Sequence, residues 1–195
     1  MDNPVVATPL EASSFDIDGL SVSEEVLINK VNLRGEFESP DVNKALADLV
    51  GMKCDLAPNT FVSNGAVSLF WLGPNERLLY IESAPQAVIE QWKQQSSTAA
   101  ADVTDYYTVL QLTGAKTRDV IASGSPFDVH ADVFSAGQCA QTRFGNASVL
   151  IANHAETPVF TLQVRWSFAA YVYEYIKRVA DYVYCLLYTS PSPRD

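Results

Sequence analysis

The chain is poor in the residues that build most catalytic and metal centres. Its 195 residues include three cysteines and two histidines. Cys54, Cys139 and Cys185 are odd in number and form no Cys-x-x-Cys pair, which argues against a disulfide framework and against a four-ligand zinc site. Positive charge is also scarce. Thirteen Lys and Arg stand against twenty-three Asp and Glu, a formal net charge of −10, and that field repels a phosphate backbone, so no nucleic-acid partner is expected. No apolar run approaches the roughly 20 residues of a membrane-spanning helix. The opening MDNPVVATPLEASSFDIDGL is acidic and broken by prolines, unlike a signal peptide. A cytoplasmic protein without membrane contact is therefore expected. No Gly-rich phosphate loop and no internal repeat are visible.

What is present is a globular composition, 48% hydrophobic and 18% charged, at a length that suits one large unit or two smaller halves sharing a core. Residues 1–25 carry six acidic residues and no Lys or Arg, and read as a disordered acidic arm. VLINKVNLRG (26–35) alternates as a strand does. Ser39-Pro40 opens a helix that Gly51 closes, and CDLAPNTFVSNG reads as loop. AVSLFWLG and RLLYIES are strands joined at Gly73-Pro74-Asn75.

A second helix starts at Ser83-Ala84-Pro85 and carries Val88, Ile89 and Trp92 at helical spacing. ADVTDYYTVLQLTG (101–114) is strand-like again and KTRDVIASG reads as a short helix. QCAQTRF, ASVLIANH and VFTLQVR follow as strands, with Gly145-Asn146 as a hairpin turn. A last helix, 167–183, presents Phe168, Tyr171, Val172, Tyr175, Ile176, Val179 and Val183 as one stripe. The order predicts an α+β fold: a ferredoxin-like βαββαβ half over about 26–106, then a βαβββα half over 107–183, mostly antiparallel with packed helices.

Three candidate centres can be weighed. SPFDVHADVFSAGQC (125–139) sets His130 between Asp128 and Asp132, with Cys139 beyond. On a strand the first three would share a face, but Pro126 and the turn-rich flanks favour a loop. A metal needs three or four convergent ligands, and the other histidine, His154, lies in another strand. Cys139 has no cation closer in sequence than Arg143 to activate it, so it reads as a small buried hydrophobe. Trp71 reads as core, while Trp92 and Trp166 could line a pocket or a partner surface. Tyr173 and Tyr184 fall on the polar side of the last helix, where exposed tyrosines mark interfaces. From the residues alone the reading is an α+β domain with no catalytic, cofactor-binding or metal-binding residue to name.

Seven stretches in order add to it: VNLRG (31–35), PNT (58–60), WLGPNERLL (71–79), DVTDYYTVLQLTG (102–114), GSPFDVH (124–130), GQCAQT (137–142) and VRWSFAAYVYEYI (164–176). Together they resemble the gamma subunit of heterotetrameric sarcosine oxidase, over about residues 27–182. The resemblance implies a structural, non-catalytic subunit of a bacterial complex that oxidatively demethylates sarcosine to glycine with folate as one-carbon acceptor. Its implied partners are the alpha, beta and delta subunits. FAD, FMN, NAD, zinc and tetrahydrofolate are implied in those other subunits, and no cofactor in this one.

The gamma-subunit fold is similar to the folate-binding domain of aminomethyltransferases, and DVTDYYTVLQLTGAKTRDVI looks like that family's opening segment. The transferases' catalytic acid would fall near Ser148 and Val149, neither of which is a carboxylate. A fold shared with an enzyme does not bring its activity. The alternative, a stand-alone folate-binding or aminomethyltransferase-like protein, lacks that acid. Ser125-Pro-Phe-Asp-Val-His-Ala131 replaces the gamma family's usual Cys-Pro-Leu-Asp-Leu-His-Pro, a mild departure. YCLLYTSPSPRD (184–195) does not resemble the family's ending and reads as a non-native or disordered tail.

Overall fold

Period-two alternation of apolar residues recurs along the chain, and each such run becomes a strand with one face buried. The computed structural model describes residues 8–26, 28–155 and 158–188. Its strands are β1 (Ser14–Ile17), β2 (Leu20–Glu25), β3 (Asn29–Arg34), β4 (Phe61–Ser63), β5 (Val67–Gly73), β6 (Glu76–Ile81), β7 (Ala99–Asp102), β8 (Tyr107–Thr113), β9 (Cys139–Phe144), β10 (Ala147–Ala155) and β11 (Val159–Arg165). The helices are α1 (Pro40–Val50), α2 (Pro85–Trp92), α3 (Thr117–Gly124) and α4 (Ala169–Tyr188).

The strands form two antiparallel sheets, β4-β5-β6-β3-β7 and β1-β2-β8-β11-β10-β9. In the first, β7-β3-β6-β5 is the fourth, first, third and second strand of a βαββαβ unit, the ferredoxin-like order. The sheets lie face to face between outer helices. α1 and α2 cover the first sheet through Leu46, Ile89 and Trp92 on Leu33, Leu69 and Leu79. α3 and α4 cover the second through Ile121, Val172 and Ile176, in one core with Leu112, Ile151 and Leu162. Between the sheets sit Phe70, Leu78, Tyr80, Val109, Cys139, Leu150 and Ala152.

One rim of the sandwich is closed by backbone. Phe61 N–H donates to the Gly137 carbonyl at 2.9 Å and Cys139 N–H to the Asn59 carbonyl at 2.8 Å. Helix limits follow local chemistry: Pro40 opens α1, and Gly51, left-handed at φ 68°, ends it by donating to the Ala47 carbonyl.

Three expectations need correction. The acidic arm is not disordered over its described part, residues 8–25: β1 and β2 form a hairpin, and β2 pairs with β8. Leu20 and Val22 point into the core while Ser21 and Ser23 alternate outward. The acidic composition had masked that period-two pattern. Residues 1–7 lie outside the described residues. The strand-like stretch 101–114 divides, as the expected halves meeting at 106 and 107 require, into β7 and β8 at a 3-10 turn, Thr104–Tyr106, which carries the chain from one sheet to the other. The loop after α1 contains the short strand β4, recruited by pairing with β5. Finally, α4 continues to Tyr188, past the expected end at 183, while 189–195 of the expected tail lie outside the described residues.

Candidate functional site

The loop that looked most chemical owes its shape to its apolar residues. Phe127, Val129 and Phe134 turn into the core, and the Phe127 and Phe134 rings meet edge to face at 5.0 Å. Arg118 donates to the carbonyls of Val129 and Phe134, and the Asn153 amide donates to that of Phe134 at 3.1 Å. The charged residues alternate outward. Asp128 Oδ1 accepts the His130 N–H at 2.8 Å, which makes it a turn cap, and the exposed His130 ring lies 3.6 Å from Asp132. Among the described residues no three His, Cys, Asp or Glu side chains converge as metal ligands.

The other candidates are dispersed. Cys139 is buried between the sheets with its thiol toward the Thr60 carbonyl, and burial pushes that thiol up to about 12. Cys54 is likewise buried and pushed up to about 11. His154 packs on the Phe61 ring and shares a 2.9 Å hydrogen bond with Thr161 Oγ1; burial lowers its pKa. Trp71 is half-buried under Arg77 rather than in the core, whereas Trp92 is fully buried and donates to the Arg34 carbonyl. Tyr173 is not an exposed flank. It is buried against Phe15 of the N-terminal hairpin, whose folding the sequence had not disclosed. Tyr184 is half-buried, with the Lys116 ammonium over its ring.

Two features that sequence reasoning missed are built by strand register. The first is two buried charged residues at the join of the two sheets, each held by uncharged partners. Glu24 is 6% exposed and accepts from Thr8 Oγ1 and Thr108 Oγ1 at 2.6 and 2.7 Å, and from the Ala12 N–H. Lys30, 4% exposed, donates to the Ile28 carbonyl at 2.9 Å beside a cavity of about 410 Å3 that Tyr107, Thr108 and Trp166 also line. Burial lowers the Lys30 pKa to about 8, opposed by the charges of Asp105, Glu24 and Asp102.

The second is a polar row on the inner face of the six-stranded sheet. Ser148 is opposite Arg143, Arg165 is opposite Tyr107, and Val149 pairs with Val164, which brings Ser148 beside Arg165. The row therefore reads Arg143, Ser148, Arg165, Tyr107 across β9, β10, β11 and β8. Two residues along each strand the same face carries Gln141, Leu150, Gln163 and Val109, which meet the other sheet. At the row itself the sheets part, leaving a cleft of about 440 Å3 that Leu72 lines from the opposite sheet. Among the described residues, no Asp or Glu is in that lining. Val149, by contrast, is buried on the helix side. Both positions where the transferase acid was expected border the cleft, but only Ser148 has its side chain on that face of the sheet. Chemically the row can hold an anion and cannot supply a carboxylate base. Its signal in the sequence was a polar residue in each of three successive strands, Arg143, Ser148 and Arg165, which share a face only once the strands are paired.

No helix among the described residues is long and apolar enough to cross a membrane. The fold is similar to that of a chain of heterotetrameric sarcosine oxidase from Corynebacterium sp. U-96 in complex with pyrrole 2-carboxylate (TM-score 0.78, 23% identity, 90% of this chain and 95% of that one). It is also similar to the glycine cleavage system aminomethyltransferase T from Bartonella henselae (TM-score 0.60, 12% identity, 81% of this chain), of which it spans 45%. No curated protein gives a sequence match. The family model "Sarcosine oxidase, gamma subunit family" matches residues 34–181. The chain belongs to the sarcosine oxidase gamma subunit family.

Proposed function

We propose that this protein is the non-catalytic gamma subunit of a heterotetrameric sarcosine oxidase, assembled with alpha, beta and delta subunits in the cytoplasm. The complex oxidatively demethylates sarcosine to glycine, with folate taking the one-carbon unit, while FAD, FMN, NAD, zinc and tetrahydrofolate are held by the other subunits. The observation that carries this reading is family membership across 34–181. The cleft supports it: the row that opens where a transferase acid was expected offers two guanidiniums and a serine hydroxyl, with no general base. Cys139 is buried and its thiol held protonated, which leaves it without nucleophile character.

Co-expression of a tagged form of this chain with the other three subunits tests the assignment. All three are expected to co-purify with it in fixed stoichiometry. Recovery of the tagged chain alone, with the other three assembled without it, overturns it.

A further inference from the structure

The inter-sheet cleft has the opposite charge to the chain as a whole. In a protein of net charge −10, Arg143 and Arg165 flank Ser148 on one cross-strand row. Neither arginine has a carboxylate partner among the described ion pairs. Arg143 donates to Asn146 Oδ1 at 3.4 Å, and Arg165 lies over the Tyr106 ring, 5.1 Å from its centre. Glu76, whose charge reaches Tyr107, is already held by Arg34 at 3.1 Å and by the Asn32 amide at 2.6 Å. The arginines stand two strand spacings apart, about 10 Å, so each can take its own carboxylate in a bidentate pair.

We infer that this row seats the carboxylate side chains of an acidic segment from a partner subunit. The inference rests on the subunit reading above. The choice of occupant follows from exposure. Arg143, Ser148 and Arg165 are all exposed, and ion pairs left in water contribute at most about 1 kcal/mol. A small carboxylate in the open cleft stays wet and weakly held. A partner chain that also covers Leu72 and Tyr107 removes that water and strengthens each pair. The overall negative charge acts mainly beyond the screening length of roughly 8 Å, whereas the two arginines act at contact. The row therefore selects position on the partner more than it speeds encounter.

The test is binding of the purified full chain to the assembled alpha, beta and delta subunits, measured at several salt concentrations. Arg143→Glu and Arg165→Glu are each expected to weaken binding about tenfold or more, with a shallower salt dependence. Arg178→Glu, the same charge change on an exposed position of α4, is expected to bind as wild type. Melting temperatures near wild type show that the variants are folded. Wild-type affinity in both cleft variants, or an equal loss in Arg178→Glu, overturns the inference and leaves the subunit reading standing. Failure of the wild-type chain to bind overturns both. Sodium succinate is titrated into the isolated chain in parallel. Binding tighter than about 1 mM that Arg165→Glu abolishes makes the occupant a small carboxylate and overturns the partner segment.

Discussion

A lysine that is 4% exposed is the least ordinary single residue in the chain, and its cost is set by pH. Burial brings Lys30 from 10.5 to about 8. Below pH 8 the amine is charged in both folded and unfolded chains, and the folded state carries the full desolvation penalty. Between about 8 and 10.5 the unfolded chain binds more protons than the folded one, so stability rises with pH across that window. The gain totals about 3 kcal/mol. Lys30→Met has no such group. Urea unfolding across the window should show wild-type stability climbing relative to Lys30→Met; parallel curves contradict the burial assigned to Lys30. Cys139 makes a second residue-scale prediction. With its thiol pushed up to about 12, peptide-resolved iodoacetamide labelling of the native protein at mildly alkaline pH should leave Cys139 unmodified until urea unfolds the chain. Rapid native labelling would mean the thiol is accessible and ionised.

At the level of elements, the N-terminal hairpin is tied into the helix-side core of the six-stranded sheet. Leu20, 2% exposed, sits in one core with Leu112 and Val120. Leu20→Ala is expected to destabilise the protein by roughly 2–4 kcal/mol in chemical unfolding; a disordered arm would give no change. The turn at Gly19 also explains Gly114, held at φ +110°, where an added Cβ would lie 2.4 Å from the Gly19 carbonyl oxygen. Gly114→Ala combines a forbidden backbone region with an overlap on backbone. It should lower the melting temperature by roughly 4–8 °C, equivalent to about 2 kcal/mol for a chain of this length. An unchanged melting temperature contradicts that packing.

Most of the element order was legible because it rests on local chemistry. Pro40 and Gly51 bracket α1, Gly145-Asn146 turns β9 into β10, and Gly73-Pro74-Asn75 turns β5 into β6. What was not legible depends on long-range pairing. β1 and β2 become strands because β8, nearly ninety residues away, offers an edge. The cleft row exists only once Arg143, Ser148 and Arg165 are put in register. Tyr173 was misplaced for the same reason, since the partner ring of Phe15 belongs to the hairpin.

At the scale of the molecule, the described residues form two sheets packed face to face between helices, a frame similar in outline to that of an aminomethyltransferase. It opens into a cleft whose lining, among the described residues, holds no carboxylate. In this account the frame serves docking, with chemistry supplied by the partner subunits. The most direct test is sarcosine turnover, followed as peroxide release, by the purified chain alone and by the other three subunits assembled with and without it. No turnover and no flavin absorbance are expected from the chain alone, and full activity only when it joins the other three. Turnover by the isolated chain, or equal assembly and activity of the complex without it, would contradict the account.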